Sequence, residues 1–255
     1  MSKDSKTILE WSYEPNSYFE VPTRFECFGG EVLIDNGLVK GTFASEHYGE
    51  RDFRDAVHEL VEARFLAQQV QSHKSYELSG ASMYREHPDG SRDVTAFIDT
   101  LVMKASVHAP DIVITDREGN VVSDSKAERV KRREDFGCSV VTNFQDPALK
   151  RMVQSFHNAI TDEDNSLIHL YEIKETVDTV FGKSNAKRVL GIADQSWSRL
   201  IKMANNEPLV EGRHRGKHDG LRRMSEDERN EVYKIAQGII ENYVHHISTK
   251  DRGDS

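Results

Sequence analysis

The sequence predicts an α+β chain in two parts, a mainly antiparallel β domain over residues 1–140 and a helical bundle over 141–248. Three observations carry this. Apolar runs in the first half are short and separated by Asn-Gly and Asp-Gly pairs, the dipeptides that favour tight hairpins. Apolar residues in the second half recur at helical spacing, which places them on one face of each helix. Charge is also segregated: from Lys183 to Arg223 there are ten Lys or Arg against four Asp or Glu, a local +6 in a chain of net charge −9.

The elements follow in order. Residues 25–44, FECFGGEVLIDNGLVKGTFA, carry apolar runs around Asn36-Gly37 and predict a hairpin. Residues 53–71 break the β pattern, because Val57, Leu60, Val61 and Phe65 lie on one helical stripe with Arg54, Glu59 and Glu62 off it. A second hairpin is expected about Asp89-Gly90 and a third about Gly119-Asn120. After the charged stretch 125–137 the pattern turns helical, and the domain boundary is placed near residue 140. Ser225-Glu-Asp-Glu228 has capping-box spacing and opens a helix whose face is Val232, Ile235, Ala236, Ile239, Ile240 and Tyr243. Residues 249–255 read as a disordered tail.

At 255 residues the chain can bury one large core or two smaller ones. No run of about 18 apolar residues could span a membrane, and MSKDSKTILEWSYEP lacks a signal core. Cys27 and Cys138 are the two cysteines and have no metal-ligand spacing, so the expectation is a cytoplasmic protein without a disulfide framework. There is no glycine-rich phosphate loop, nucleophile elbow or Cys-x-x-Cys, and no cofactor is expected.

Residues 211–223, EGRHRGKHDGLRR, hold five Arg or Lys and two His. Arg213, polar His214, three further positions and His218, ahead of a long amphipathic helix, resemble the motif of the HEPN superfamily. That resemblance covers about residues 144–248. It implies a helical bundle and a bacterial defence or toxin-type protein, in the active members a metal-independent endoribonuclease. Arg213 would then hold the phosphate and His218 act as acid or base, with His214 at the polar position and a homodimer completing the site. The chemistry suits those residue types, since histidine exchanges protons near neutral pH and arginine's fork holds a phosphoryl group. Arg215, Lys217, Arg222, Arg223, Arg199 and Lys202 are the accompanying nucleic-acid-binding candidates, and RNA is the expected partner. Gly212, Gly216 and Pro208 depart from a helical setting for the motif, and a solvated basic loop is the plain alternative.

Other readings stay open. His214 and His218 at i, i+4 have zinc-ligand spacing but no third ligand nearby. Residues 186–205 are patterned like a helix-turn-helix with Leu190-Gly191 at the turn; Arg199 and Lys202 would face DNA in a non-enzymatic regulator, or Trp197 would simply anchor the core. Asp111, Asp124 and Lys126 have the outline of a Mg²⁺-dependent PD-(D/E)xK nuclease, with Asp124 and Lys126 on one side of a strand. His245-His246 reads as a partner of the last helix's C-terminal dipole. The β domain shows no catalytic set and is expected to serve recognition or docking of a protein partner.

Overall fold

The computed structural model describes residues 5–95, 113–115, 121–217 and 219–250, with backbone alone for 94–95, 113–115 and 121–124. The chain divides into two compact units, Met1–Phe65 with Tyr76–Cys138, and Leu66–Ser75 with Ser139–Ser255. The fold is α+β, with an antiparallel sheet in the N-terminal part and helices mostly in the C-terminal part.

In the first unit the strands are β1 Lys6–Glu14, β2 Thr23–Cys27, β3 Gly30–Asp35, β4 Leu38–Ala44, β5 Glu77–Leu78, β6 Ser82–Glu86 and β7 Arg92–Thr95. They form one antiparallel sheet in the order β2-β3-β4-β1-β6-β7, with β5 paired to the end of β1. Asn36 and Gly37 both take positive φ, 43° and 85°, the backbone of a type I′ turn whose twist matches its strands. The Asp89-Gly90 loop joins β6 to β7, and Asp89 Oδ1 accepts from the Ser91 amide and hydroxyl. Strands β8 Val113–Thr115 and β9 Val121–Asp124 pair as the third hairpin; its Gly119-Asn120 turn lies outside the described residues.

The helix expected at 53–71 is α1, Arg51–Ser72. Its buried Phe65 meets Tyr13 edge-on at 5.1 Å, while the Trp11 indole N–H donates to His58 Nδ1 at 2.8 Å. Trp11 and Tyr13 stand two residues apart on β1 and therefore share a face of the sheet. That face is the seat of α1.

The charged stretch 125–137, after which the helical pattern was expected to begin, is itself most of helix α2, Ser125–Thr142. Its charges have partners inside the first unit. Arg129 donates to Glu20 at 2.7 Å and Arg133 pairs with the same carboxylate. Glu134 accepts at 2.5 Å from Arg64, whose side chain on α1 is almost fully buried. A Cβ on Gly137 would fall inside the Arg64 guanidinium, so glycine here makes room for a buried cation.

The second unit contains α3 Pro147–Thr161, α4 Ser166–Phe181, α5 Ala186–Val189, α6 Asp194–Asn205 and α7 Glu226–Lys250. Asp146 caps α3 by accepting from the Leu149 amide at 2.8 Å, with Pro147 at the first position. The Tyr243 hydroxyl of α7 donates to the same Asp146. Leu149, Met152, Phe156, Leu170, Ile173, Val177, Leu200, Ile239 and Ile240 make the core. The last turns of α1 belong to this unit because Gln69, Gln71 and His73 hydrogen-bond His157, Glu241 and Gln237. Helix α7 extends through Lys250, so residues 249 and 250, read from sequence as tail, are helical; residues 251–255 lie outside the described residues. Among the described residues no helix is long and apolar enough to cross a membrane.

Two glycine-to-alanine changes should move stability in opposite directions. Gly238 lies within α7 with open space where a Cβ would sit, so Gly238→Ala should gain about 0.5–1 kcal/mol from helix propensity. Gly137→Ala should lose about 1–3 kcal/mol by crowding Arg64. Urea unfolding of both variants checks this, and equal signs would refute the packing account of Gly137.

Candidate functional site

The segment between α6 and α7 is a folded loop. The Leu209 side chain is fully buried, and Leu209 bridges Arg222 in parallel, with the Val210 amide donating to Arg222 O and the Arg222 amide to Pro208 O, both at 2.9 Å. The Arg213 amide donates to Ala204 O at 2.8 Å, at the end of α6. Glu211 is fully buried and accepts from the Met224 amide at 3.3 Å. One residue on, Ser225 and Glu228 form the reciprocal capping box of α7: the Ser225 amide donates to Glu228 Oε2 at 2.9 Å, and the Glu228 amide to Ser225 Oγ at 3.2 Å.

Within this frame the Arg213 guanidinium lies 4.3 Å above the Tyr171 ring and 3.3 Å from Glu175 Oε1, both on α4. It borders a pocket of about 350 Å³ lined by Ile168 and the backbone turn Gly212–Lys217. His214 and Lys217 are exposed and have no side-chain partner among the described residues. His218 lies outside the described residues, so its approach to Arg213 is not defined. Residues 215–217 form a single 3-10 turn, and His214 is therefore not on an α-helical face that could pair it with His218 at zinc-ligand spacing. Among the described residues no three His, Cys, Asp or Glu side chains gather as a metal-ligand set.

The remaining cations mostly staple the fold. Arg215 donates to Asp164 O at 2.5 Å and Asn165 Oδ1 at 2.7 Å. Arg222 holds Glu228 with both fork nitrogens at 2.6 and 2.7 Å, and Arg223 reaches Asp164 at 2.8 Å. Arg199 pairs with Glu231 at 2.8 Å and Lys202 with Glu207 at 3.2 Å. The turn at Leu190-Gly191 is present, with Gly191 at φ 62°, but the first helix of the pair is only four residues long and Trp197 is buried.

Of the proposed metal-nuclease set, Asp111 and the Asp124 side chain lie outside what is described. Lys126 does not share a strand with Asp124. It sits exposed in the first turn of α2, because SKAERVKRRED is rich in strong helix formers and the strand ends at Asp124. The alternation that would have aligned the two residues is therefore absent. At the far end of α7, His246 stands edge-on to Phe181 at 5.1 Å, and burial lowers its pKa.

A polar stripe on α4 was not singled out by sequence reasoning. Tyr171, Lys174, Glu175 and Asp178 fall at i, i+3, i+4 and i+7, one helical face. Lys174 and Asp178 are both buried and paired to one another. The available signal was an i, i+4 Lys-Asp pair beside the apolar stripe of Leu170, Ile173 and Val177.

No family model, curated protein or solved structure matches the chain.

The capping box has a pH signature. Hydrogen bonds from Arg222, then from the Ser225 amide, lower the Glu228 pKa from 4.5 to about 2. A depressed folded-state pKa contributes stability that is complete above the unfolded value and is lost as pH falls through the folded one. The contribution should hold above pH 4.5 and vanish towards pH 2. Glu228→Gln should be less stable than wild type at pH 7, with the gap closing over that window in urea titrations. A pH-independent gap would refute the assignment.

Proposed function

We propose that the chain is a HEPN-like protein of a defence or toxin-type system, and that its helical unit cleaves RNA without a metal ion. The supporting observation is the seating of Arg213: its amide is pinned to the end of α6, and its guanidinium is held over Tyr171 at the edge of a pocket made by its own loop. A phosphate entering there would meet a positioned cationic fork, which stabilises charge growing on the phosphoryl oxygens. In the proposed reaction the RNA 2′-oxygen bonds to phosphorus as the bond to the 5′-oxygen breaks. His218 serves as acid or base in passing the 2′-hydroxyl proton on to the departing 5′-oxygen, and His214 stands at the polar position of the motif. The products are a 2′,3′-cyclic phosphate and a 5′-hydroxyl. A homodimer, with one loop from each chain, completes the site in this reading.

The two competing readings have weaker support. Arg199 and Lys202, the cations a DNA-reading helix would present, are already paired with glutamates. Lys126, the lysine of a metal nuclease, projects from a helix rather than the strand of Asp124.

The test is incubation with single-stranded RNA in EDTA. Wild type should cleave to cyclic-phosphate ends, His218→Ala should lose about 10²–10⁴-fold, and Arg213→Ala about 10²–10³-fold. Intact RNA with folded wild type, or undiminished cleavage in His218→Ala, would overturn the proposal.

A further inference from the structure

Strand β2 borders the first unit's sheet, and its outer side has no main-chain partner among the described residues. Which groups it presents follows from its turn. Phe28 and Gly29, at φ 50° and 70°, make a two-residue type I′ connection with Cys27 opposite Gly30. The pair flanking such a turn exchanges main-chain bonds, and bonding then alternates along the strands. Cys27, Phe25 and Thr23 therefore bond inward to β3, while the amides and carbonyls of Arg24 and Glu26 point outward. The side chains of Arg24 and Glu26 stand exposed on one face of the sheet, and their charges are unevenly served. Arg24 reaches Glu31 of β3 at 2.6 Å. Glu26 lies directly opposite Glu31, a like-charge pair that destabilises a sheet, and it has no ion pair among the described residues.

We propose that β2 pairs antiparallel with β2 of a second copy of this chain, about a two-fold axis at Phe25. In that register Arg24 stands opposite Glu26 of the second copy, and Glu26 opposite its Arg24. The outward amides and carbonyls of both residues exchange main-chain bonds, and the facing side chains carry opposite charge. Glu26 gains the cation that its own chain gives to Glu31. Arg24 turns from Glu31 at small cost, since the two side chains are 62% and 50% exposed and such pairs are weakly held. Charge of one sign along an edge repels a copy of itself. Strand β2, with a cation and an anion symmetric about Phe25, attracts one instead. The same register brings the turn at exposed Phe28 beside Pro22 of the second copy, also exposed, which adds apolar area at both ends. Pro22 has no N–H to donate, so the ladder stops there. The contact is isologous, lies in the first unit, and does not rest on the RNA reading above.

Sedimentation velocity of the full chain at rising concentration tests this. A five-residue strand is small beside the roughly 20–30 residues per side of a standard interface, so wild type should associate reversibly. Arg24→Glu and Glu26→Arg, each alone, set like charges opposite one another across the axis and should weaken association by about tenfold or more. Mixed in equal amounts, the two variants face each other with opposite charges again and should associate about as strongly as wild type. Thiol cross-linking checks the register. The axis at Phe25 puts Thr23 opposite Cys27 of the second copy, in a pair without main-chain bonds, where Cβ atoms lie about 4.5–5.5 Å apart. In a Cys138→Ser background, Thr23→Cys should give a covalent dimer on oxidation with copper-phenanthroline, and the background alone should not. A wild type that stays monomeric throughout, a mixture no stronger than its components, or absence of the Thr23→Cys cross-link would overturn the proposal. Association that survives both single reversals unchanged would overturn it too, and would belong to the loop contact of the RNA reading.

Discussion

The buried carboxyl of Glu211 is the constraint on which the candidate site depends. A fully buried acid must find donors or it destabilises the fold, and it finds the Met224 amide, with Arg223 3.8 Å away. That requirement brings Met224 back beside Glu211 across twelve intervening residues. The return passes directly into the capping box of α7, where Glu228 accepts from the Ser225 amide and from Arg222. The Arg222 amide closes the circuit on Pro208 O. The loop is therefore held by polar contacts around an acid, and Arg213 projects from it at a defined place, as the role proposed for it requires.

The same logic, with signs reversed, organises the first unit. Arg64 is buried on α1, and α2 supplies Glu134 as its counter-charge and Gly137 as its space. In both units a long charged segment that looks solvated in one dimension turns out to be paired in three. This changes the meaning of the local basic excess. The +6 window counts only its own acids, whereas Asp164, Glu175, Glu228 and Glu231, which neutralise Arg223, Arg213, Arg222 and Arg199, come from outside it. The net positive field left on this part of the chain is correspondingly small, and the proposed RNA reading would have to rest on placed groups more than on net charge.

What was legible in the sequence was local chemistry. Asn36-Gly37 and Ser225–Glu228 act through their own backbones, and both formed as their residue types dictate. Strand β1 was missed because its alternation is short: Leu9, Trp11 and Tyr13 are buried between the less buried Glu10, Ser12 and Glu14, but the consecutive buried Thr7, Ile8 and Leu9 interrupt the pattern. The hairpin at Phe28-Gly29 was missed because Phe28 takes φ 50°, a conformation bulky residues rarely adopt and that no turn propensity announces. The α2 helix was obscured by charge, and the assignment of residues 66–75 by long-range hydrogen bonds from Gln69, Gln71 and His73. The Arg213 loop stood out in sequence by its charge, but its α4 partners Tyr171 and Glu175 did not, since they lie about forty residues away in the chain.

The polar stripe of α4 divides into a fixed and an exchangeable part. Lys174 and Asp178 are paired below the surface, where breaking the pair would leave an uncompensated buried charge. Glu175 and Arg213 are partly exposed, 47% and 32% at the side chain, and such pairs are weakly held because water screens them. A phosphate arriving at Arg213 can therefore displace Glu175 at small cost, offering the fork a better-matched anion while the guanidinium stays over Tyr171. Removal of Glu175 and removal of Asp178 should then differ in kind, the first freeing an exposed cation and the second leaving Lys174 as a buried charge without its partner. Both carboxylates lie on one stripe of α4, and the contrast comes from its edges: Glu175 stands exposed at the solvent side, while Asp178 is buried with Lys174.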